Sequence, residues 1–77
     1  MKKEFENIEV GSIVNIQNDR VPNHEETIIN ITTETDEETG EIYKVFWCGI
    51  QGFDSRTGYE ITEPYSAYIN PIIRLHD

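Results

Sequence analysis

The stretch ETIINITTETDEETGEIYKVFWC, running from Glu26 to Cys48, decides the fold. Its first part is β-branched at Thr27, Ile28, Ile29, Ile31, Thr32, Thr33 and Thr35. Such side chains pack well on a pleated surface and lose rotamer freedom in a helix. Its last part, Ile42-Tyr43-Lys44-Val45-Phe46-Trp47-Cys48, is β-branched and aromatic as well. Between them, Asp36-Glu37-Glu38-Thr39-Gly40 is polar and ends in a glycine able to take the positive φ of a bulged hairpin turn. The expectation is a long hairpin pairing Glu26–Thr35 with Glu41–Ile50, with Asp36, Glu37 and Glu38 at its exposed tip. On the second strand Tyr43, Val45 and Trp47 share one face, while Ile42, Phe46 and Cys48 share the other with Lys44. Apolar residues on both faces predict a central strand.

Outward from the hairpin, the pattern stays β. Ser12–Gln17 is a short run that follows Gly11, with Val14 and Ile16 alternating and Ile13 an extra apolar residue on the opposite face. Residues 18–25 contain Asn, Asp and Pro and read as a loop. Phe53–Gly58 is turn-like, Tyr59–Glu63 alternates as a strand, and Pro64 interrupts it. Tyr65–Ile69 and Ile72–Leu75 read as two short final strands around Asn70-Pro71, or as one strand bent there. Phe5, Ile8 and Glu9 allow one helical turn at the start, but no longer window sustains a helical period. No internal repeat or linker is visible. The reading is a single all-β domain over 1–77, with four to six antiparallel strands in a small barrel or half-barrel. A sandwich needs more strands and usually ~100 residues.

Composition agrees with a folded but thin-cored domain. The chain has 77 residues, 36% of them apolar, with four Tyr, three Phe and one Trp. Disordered chains are poor in aromatics, and a chain this short buries only about 60% of its unfolded surface. The single cysteine, Cys48, cannot make an internal disulfide, which points to a reducing compartment. The basic start Met1-Lys2-Lys3 is followed by no apolar stretch, and no run approaches the ~20 apolar residues of a membrane span. The expected location is the cytoplasm.

Charge is uneven. Fifteen acids against six bases give a net charge of −9. Seven of those acids (Glu25, Glu26, Glu34, Asp36, Glu37, Glu38, Glu41) fall within residues 21–41, which hold no Lys or Arg, so −7 of the −9 sits in that segment. Clustered acid keeps a loop wet and a strand edge unpaired, or it steers a basic partner onto the surface. Direct nucleic-acid binding is disfavoured, because neutralising phosphates needs clustered Lys and Arg.

The opening Val10-Gly11-Ser12-Ile13-Val14-Asn15-Ile16 and the closing Ser66-Ala67-Tyr68-Ile69-Asn70-Pro71-Ile72-Ile73-Arg74-Leu75 resemble the first and last strands of SH3-like barrels. The resemblance implies a binding module of peptides, proteins or nucleic acids rather than an enzyme. The short acidic one-domain format is also similar to small phage and prophage proteins.

The residues offer little to catalysis. His24, His76 and Cys48 have no metal-ligand spacing, and the acidic run lacks the periodic spacing of a calcium loop. Cys48 lies in the most apolar stretch, where an inert buried thiol is the ordinary reading. The carboxylates crowd an exposed tip, where no burial would shift a pKa for acid–base work. No glycine-rich phosphate loop occurs. No enzyme activity, metal or cofactor is therefore expected. The candidate partner contacts are the acidic side chains Glu34, Asp36, Glu37, Glu38 and Glu41, together with the loop aromatics Phe53, Tyr59 and Tyr65. The favoured function is a protein-binding module, an inhibitor or regulator docking on a basic partner. Alternatives are a nucleic-acid mimic and a homo-oligomeric structural protein.

Overall fold

The computed structural model describes residues 3–17, 24–61 and 72–75. Tyr65, the expected strand at 65–69 and most of the expected 18–25 loop lie outside the described residues. The chain is all-β: among the described residues, six strands form two three-stranded antiparallel sheets. The strands are β1 (Ile13–Gln17), β2 (His24–Thr27), β3 (Asn30–Thr35), β4 (Ile42–Cys48), β5 (Gln51–Asp54) and β6 (Ile72–Leu75). The first sheet has the order β2-β1-β6 and the second β3-β4-β5.

Glu26–Thr35, expected as one strand, divides between the sheets. His24–Thr27 pairs with β1, Asn30–Thr35 pairs with β4, and the change of partner falls between two adjacent residues. The Ile28 N–H donates to the Ser12 carbonyl at 2.8 Å, on the side of the first sheet, whereas the Ile29 N–H donates to the Trp47 carbonyl of the second at 2.8 Å. Ile28 is fully buried and Ile29 is exposed, so the switch turns one of two adjacent isoleucines into the core. The β-branched run Thr27-Ile28-Ile29 carries no mark of such a bend. His24 and Glu25, read as loop, belong to β2 for the same reason: their polarity suits an exposed strand.

The expected hairpin forms with Gly40 at φ 74°. Its register pairs Ile31 with Phe46 and Thr35 with Ile42, and β4 is the central strand of its sheet. Phe53 corrects the reading of 53–58 as turn throughout, because it lies on β5 opposite Phe46 and is fully buried. Tyr59 and Glu60 then fold back along β5. The Asp54 N–H donates to the Tyr59 carbonyl at 2.9 Å, and the Ile61 N–H donates to the Gly52 carbonyl at 2.9 Å.

One cluster fills the space between the sheets: Phe5, Ile8, Val14, Ile16, Ile28, Phe46, Cys48, Phe53 and Ile73, with Ile31 packed against it. Phe5 enters from a single 3-10 turn, Lys3–Phe5, and meets Phe46 edge-to-face at 5.9 Å between centroids. Aromatic pairs favour this geometry, which brings a positive ring edge to a negative face. Since Phe46 and Cys48 point inward, alternation sends Tyr43, Val45 and Trp47 to the outer face of the second sheet. Val45 is nonetheless buried there. Beside it the Trp47 indole N–H donates to Thr32 Oγ1 at 2.8 Å across the β3–β4 pair. Among the described residues, no helix is long and apolar enough to cross a membrane.

Candidate docking site at the acidic end

Two turns of the same sequence type stand side by side at one end of the second sheet. Asp36-Glu37-Glu38-Thr39-Gly40 joins β3 to β4, and Asp54-Ser55-Arg56-Thr57-Gly58 follows β5. Both read D-x-x-T-G, and four hydrogen bonds close them in the same way. In each, the glycine N–H donates to the aspartate carbonyl (2.8 Å for Gly40 to Asp36, 2.7 Å for Gly58 to Asp54). In each, the aspartate N–H donates to the carbonyl just past the glycine, that of Glu41 or Tyr59. The aspartate Oδ1 accepts the N–H two residues on, from Glu38 at 2.8 Å and from Arg56 at 2.7 Å. The threonine Oγ1 accepts the N–H of the residue after the glycine, at 3.2 Å in both turns. The glycines have φ 74° and 85°, a region open to glycine at no steric cost. Short Asp and Thr side chains that bond their own backbone are why this pattern encodes a turn.

The turns differ in their second and third residues, and the difference at the third joins them. Arg56 Nε donates to both oxygens of Asp54 (3.1 and 3.2 Å) and Nη2 donates to Asp54 Oδ2 at 2.8 Å. Nη1 reaches across to the other turn, donating to Asp36 Oδ2 at 3.0 Å and Glu41 Oε1 at 2.8 Å. The guanidinium lies over the Tyr43 ring, with Cζ 3.9 Å from the centroid. Three carboxylates and a ring face thus hold one cation. Hydrogen bonds to Asp54 above all, then to Glu41 and Asp36, keep Arg56 protonated far beyond the usual range. In return the Arg56 hydrogen bond, followed by the Glu38 and Thr39 amides, lowers the pKa of Asp36. Below this network Ser55 is fully buried, its N–H donating to the Lys44 carbonyl at 2.9 Å and its Oγ accepting the Lys44 N–H at 3.0 Å.

The expected contacts therefore separate into three groups. Glu34, Glu37 and Glu38 are exposed at the tip, and with Thr35, Asp36 and Tyr43 they line an open depression. Asp36 and Glu41 are engaged by Arg56. Tyr59 is 49% exposed beside the second turn, whereas Phe53 is core and offers a partner no surface. Arg56, Asp54 and Tyr43 are the residues sequence reading missed. The twice-occurring D-x-x-T-G was the available signal, with the second copy starting at 54 and the first at 36.

Cys48 is buried and free, and desolvation, with the charge of Glu26 second, pushes its thiol up to about 11. It is a poor nucleophile near neutral pH. Among the described residues no group of three or more His, Cys, Asp and Glu side chains is arranged to hold a metal ion. No family model, curated protein or solved structure matches the chain.

Proposed function

We propose that the protein is a non-enzymatic binding module of SH3-like design that docks its acidic end on a basic protein partner. The observation that carries this is the fixed geometry of that end. Glu37 and Glu38 project from a turn whose backbone is closed by Asp36 and Thr39 and which is tied to its neighbour through Arg56, and Glu34 lies next to that turn on β3. A solubilising loop has no need of such order. A docking surface gains from it, because ordering carried out on folding need not be repeated on binding. Tyr59, half exposed beside the second turn, supplies the kind of side chain that anchors interfaces. The SH3-like part of the reading is supported by the pairing of the first strand with the last, and by a strand path that runs from one sheet into the other between β2 and β3.

Affinity capture at low and high salt tests the proposal, with the double variant Glu37→Lys/Glu38→Lys as control. A partner retained at low salt, released at high salt and lost with the double variant is the expected result. Retention that ignores both salt and the substitutions removes the electrostatic reading.

A further inference from the structure

Arg56 is bound by the chain in the way proteins bind a ligand's arginine. All three guanidinium nitrogens donate to carboxylates, and one face of the plane rests on an aromatic ring. A compact ammonium has no flat fork of donors to set against these spread acceptors while also covering a ring face. The walls of this cradle come from two places. Asp36, Glu41 and Tyr43 belong to the first hairpin, where Asp36 is anchored by the Glu38 and Thr39 amides and Tyr43 by the β3–β4 ladder. Asp54 belongs to the second turn, is 5% exposed, and comes with the occupant. Most of the receptor thus lies on one hairpin and the occupant on another.

We infer that Asp36, Glu41, Tyr43 and Asp54 form a guanidinium site that the chain fills with its own Arg56, as an internal stand-in for an arginine of the basic partner. The inference takes its biological sense from the docking proposal, though its chemistry stands without it. With Arg56 seated, a partner meets Glu34, Glu37 and Glu38. Asp36 and Glu41 become available when Arg56 swings out, so the contact is autoinhibitory. A partner arginine can replace what Arg56 gives up, and a lysine cannot.

The test uses the Arg56→Ser variant, melted in about 20 mM guanidinium chloride, methylammonium chloride or sodium chloride. Guanidinium is expected to raise its Tm while the other two do not, and the wild type, already filled, is expected to ignore all three. A vacant site with a Kd of about 10 mM would raise the folded-to-unfolded ratio about threefold at this concentration. Guanidinium's denaturing action is negligible at about 20 mM. The Arg56→Lys variant covers failure of the serine variant to fold. It keeps a cation near Asp54, leaves the fork unfilled, and should also gain from guanidinium alone. Equal responses to guanidinium and methylammonium overturn the inference. Binding of a hexa-arginine peptide to the wild type, abolished by Glu37→Lys/Glu38→Lys, is scored separately. Rescue without peptide binding keeps the guanidinium site and removes docking, and peptide binding without rescue does the reverse.

Discussion

Phe53→Ala separates a core residue from a partner contact. The side chain has no exposed surface, faces Phe46 across the β4–β5 pair, and belongs to the cluster that both sheets share. Truncating a buried Phe to Ala removes its transfer free energy and leaves a cavity, a cost of about 3–5 kcal/mol. A chain of this length at roughly 0.05–0.15 kcal/mol per residue is worth about 4–12 kcal/mol in total. The variant therefore sits between marginal folding and none. With a urea m-value of about 1 kcal/mol/M, appropriate to a small domain, the midpoint falls by about 3–5 M. Tyr59→Ala is the internal control. Its side chain is about half exposed, and its loss should cost about 1 kcal/mol or less. The assay is urea unfolding followed by Trp47 fluorescence, which reports the outer face of the second sheet. If Phe53→Ala unfolds within about 1 kcal/mol of the wild type with an unchanged m-value, Phe53 is not core. The register and the shared cluster then fail together.

Gly40→Ala should destabilise by roughly 1–2 kcal/mol through backbone conformation alone, because a Cβ there meets no atom within 4 Å. Gly58→Ala should cost more, since Gly58 is buried and its carbonyl accepts the Ile73 N–H at 2.9 Å; paired urea melts give the order. The folded-state pKa of Asp36 is depressed below its ordinary 3.8, so its contribution is present above that value and lost as pH falls through the lower folded value. The acid limb of a Tm–pH curve should accordingly move to higher pH in Arg56→Lys, and an unmoved limb would show that Arg56 does not hold Asp36 charged. For Cys48 the sign is opposite. A thiol pushed from 9.0 up to about 11 contributes stability below pH 9 that is lost as pH rises toward 11. Iodoacetamide at pH 8 should label it far more slowly in buffer than in urea, with mass spectrometry as the readout.

What the sequence revealed and what it hid have physical causes. The hairpin around Gly40 was legible because its signals are local: β-branching on one side, aromatics on the other, and a glycine-ended turn between. The split of Glu26–Thr35 was hidden because a strand bends between sheets without changing residue type. Ile28 and Ile29 look alike, and only their partners, Ser12 and Trp47, tell them apart. Phe53 reads as turn because the polar run Asp54-Ser55-Arg56-Thr57 after it signals one, and a four-residue strand ending in such a turn leaves little alternation to detect. The Arg56 cluster lay in plain sight as a repeated D-x-x-T-G. Reading the charges by segment concealed it, since the base that answers the acidic stretch sits 15 residues beyond Glu41.

That pairing changes what a partner would encounter. In sequence, residues 21–41 are one block of seven negative charges, but in three dimensions the block divides. Glu25 and Glu26 lie on β2 in the other sheet, with Glu26 3.5 Å from His24. Asp36 and Glu41 share a cation with Asp54. What remains together at the tip is Glu34, Glu37 and Glu38. At physiological ionic strength charges further apart than about 8 Å are largely screened from one another, so this smaller group, not the full −7, sets the short-range attraction. The salt dependence of docking should therefore resemble that of about three charges. It should steepen in Arg56→Ser, where Asp36 and Glu41 rejoin the tip, and should not steepen in Lys44→Ser, which makes the same change in net charge at an exposed residue outside the cluster. Equal steepening in both variants would mean that net charge, rather than the Arg56 pairing, governs what the partner meets.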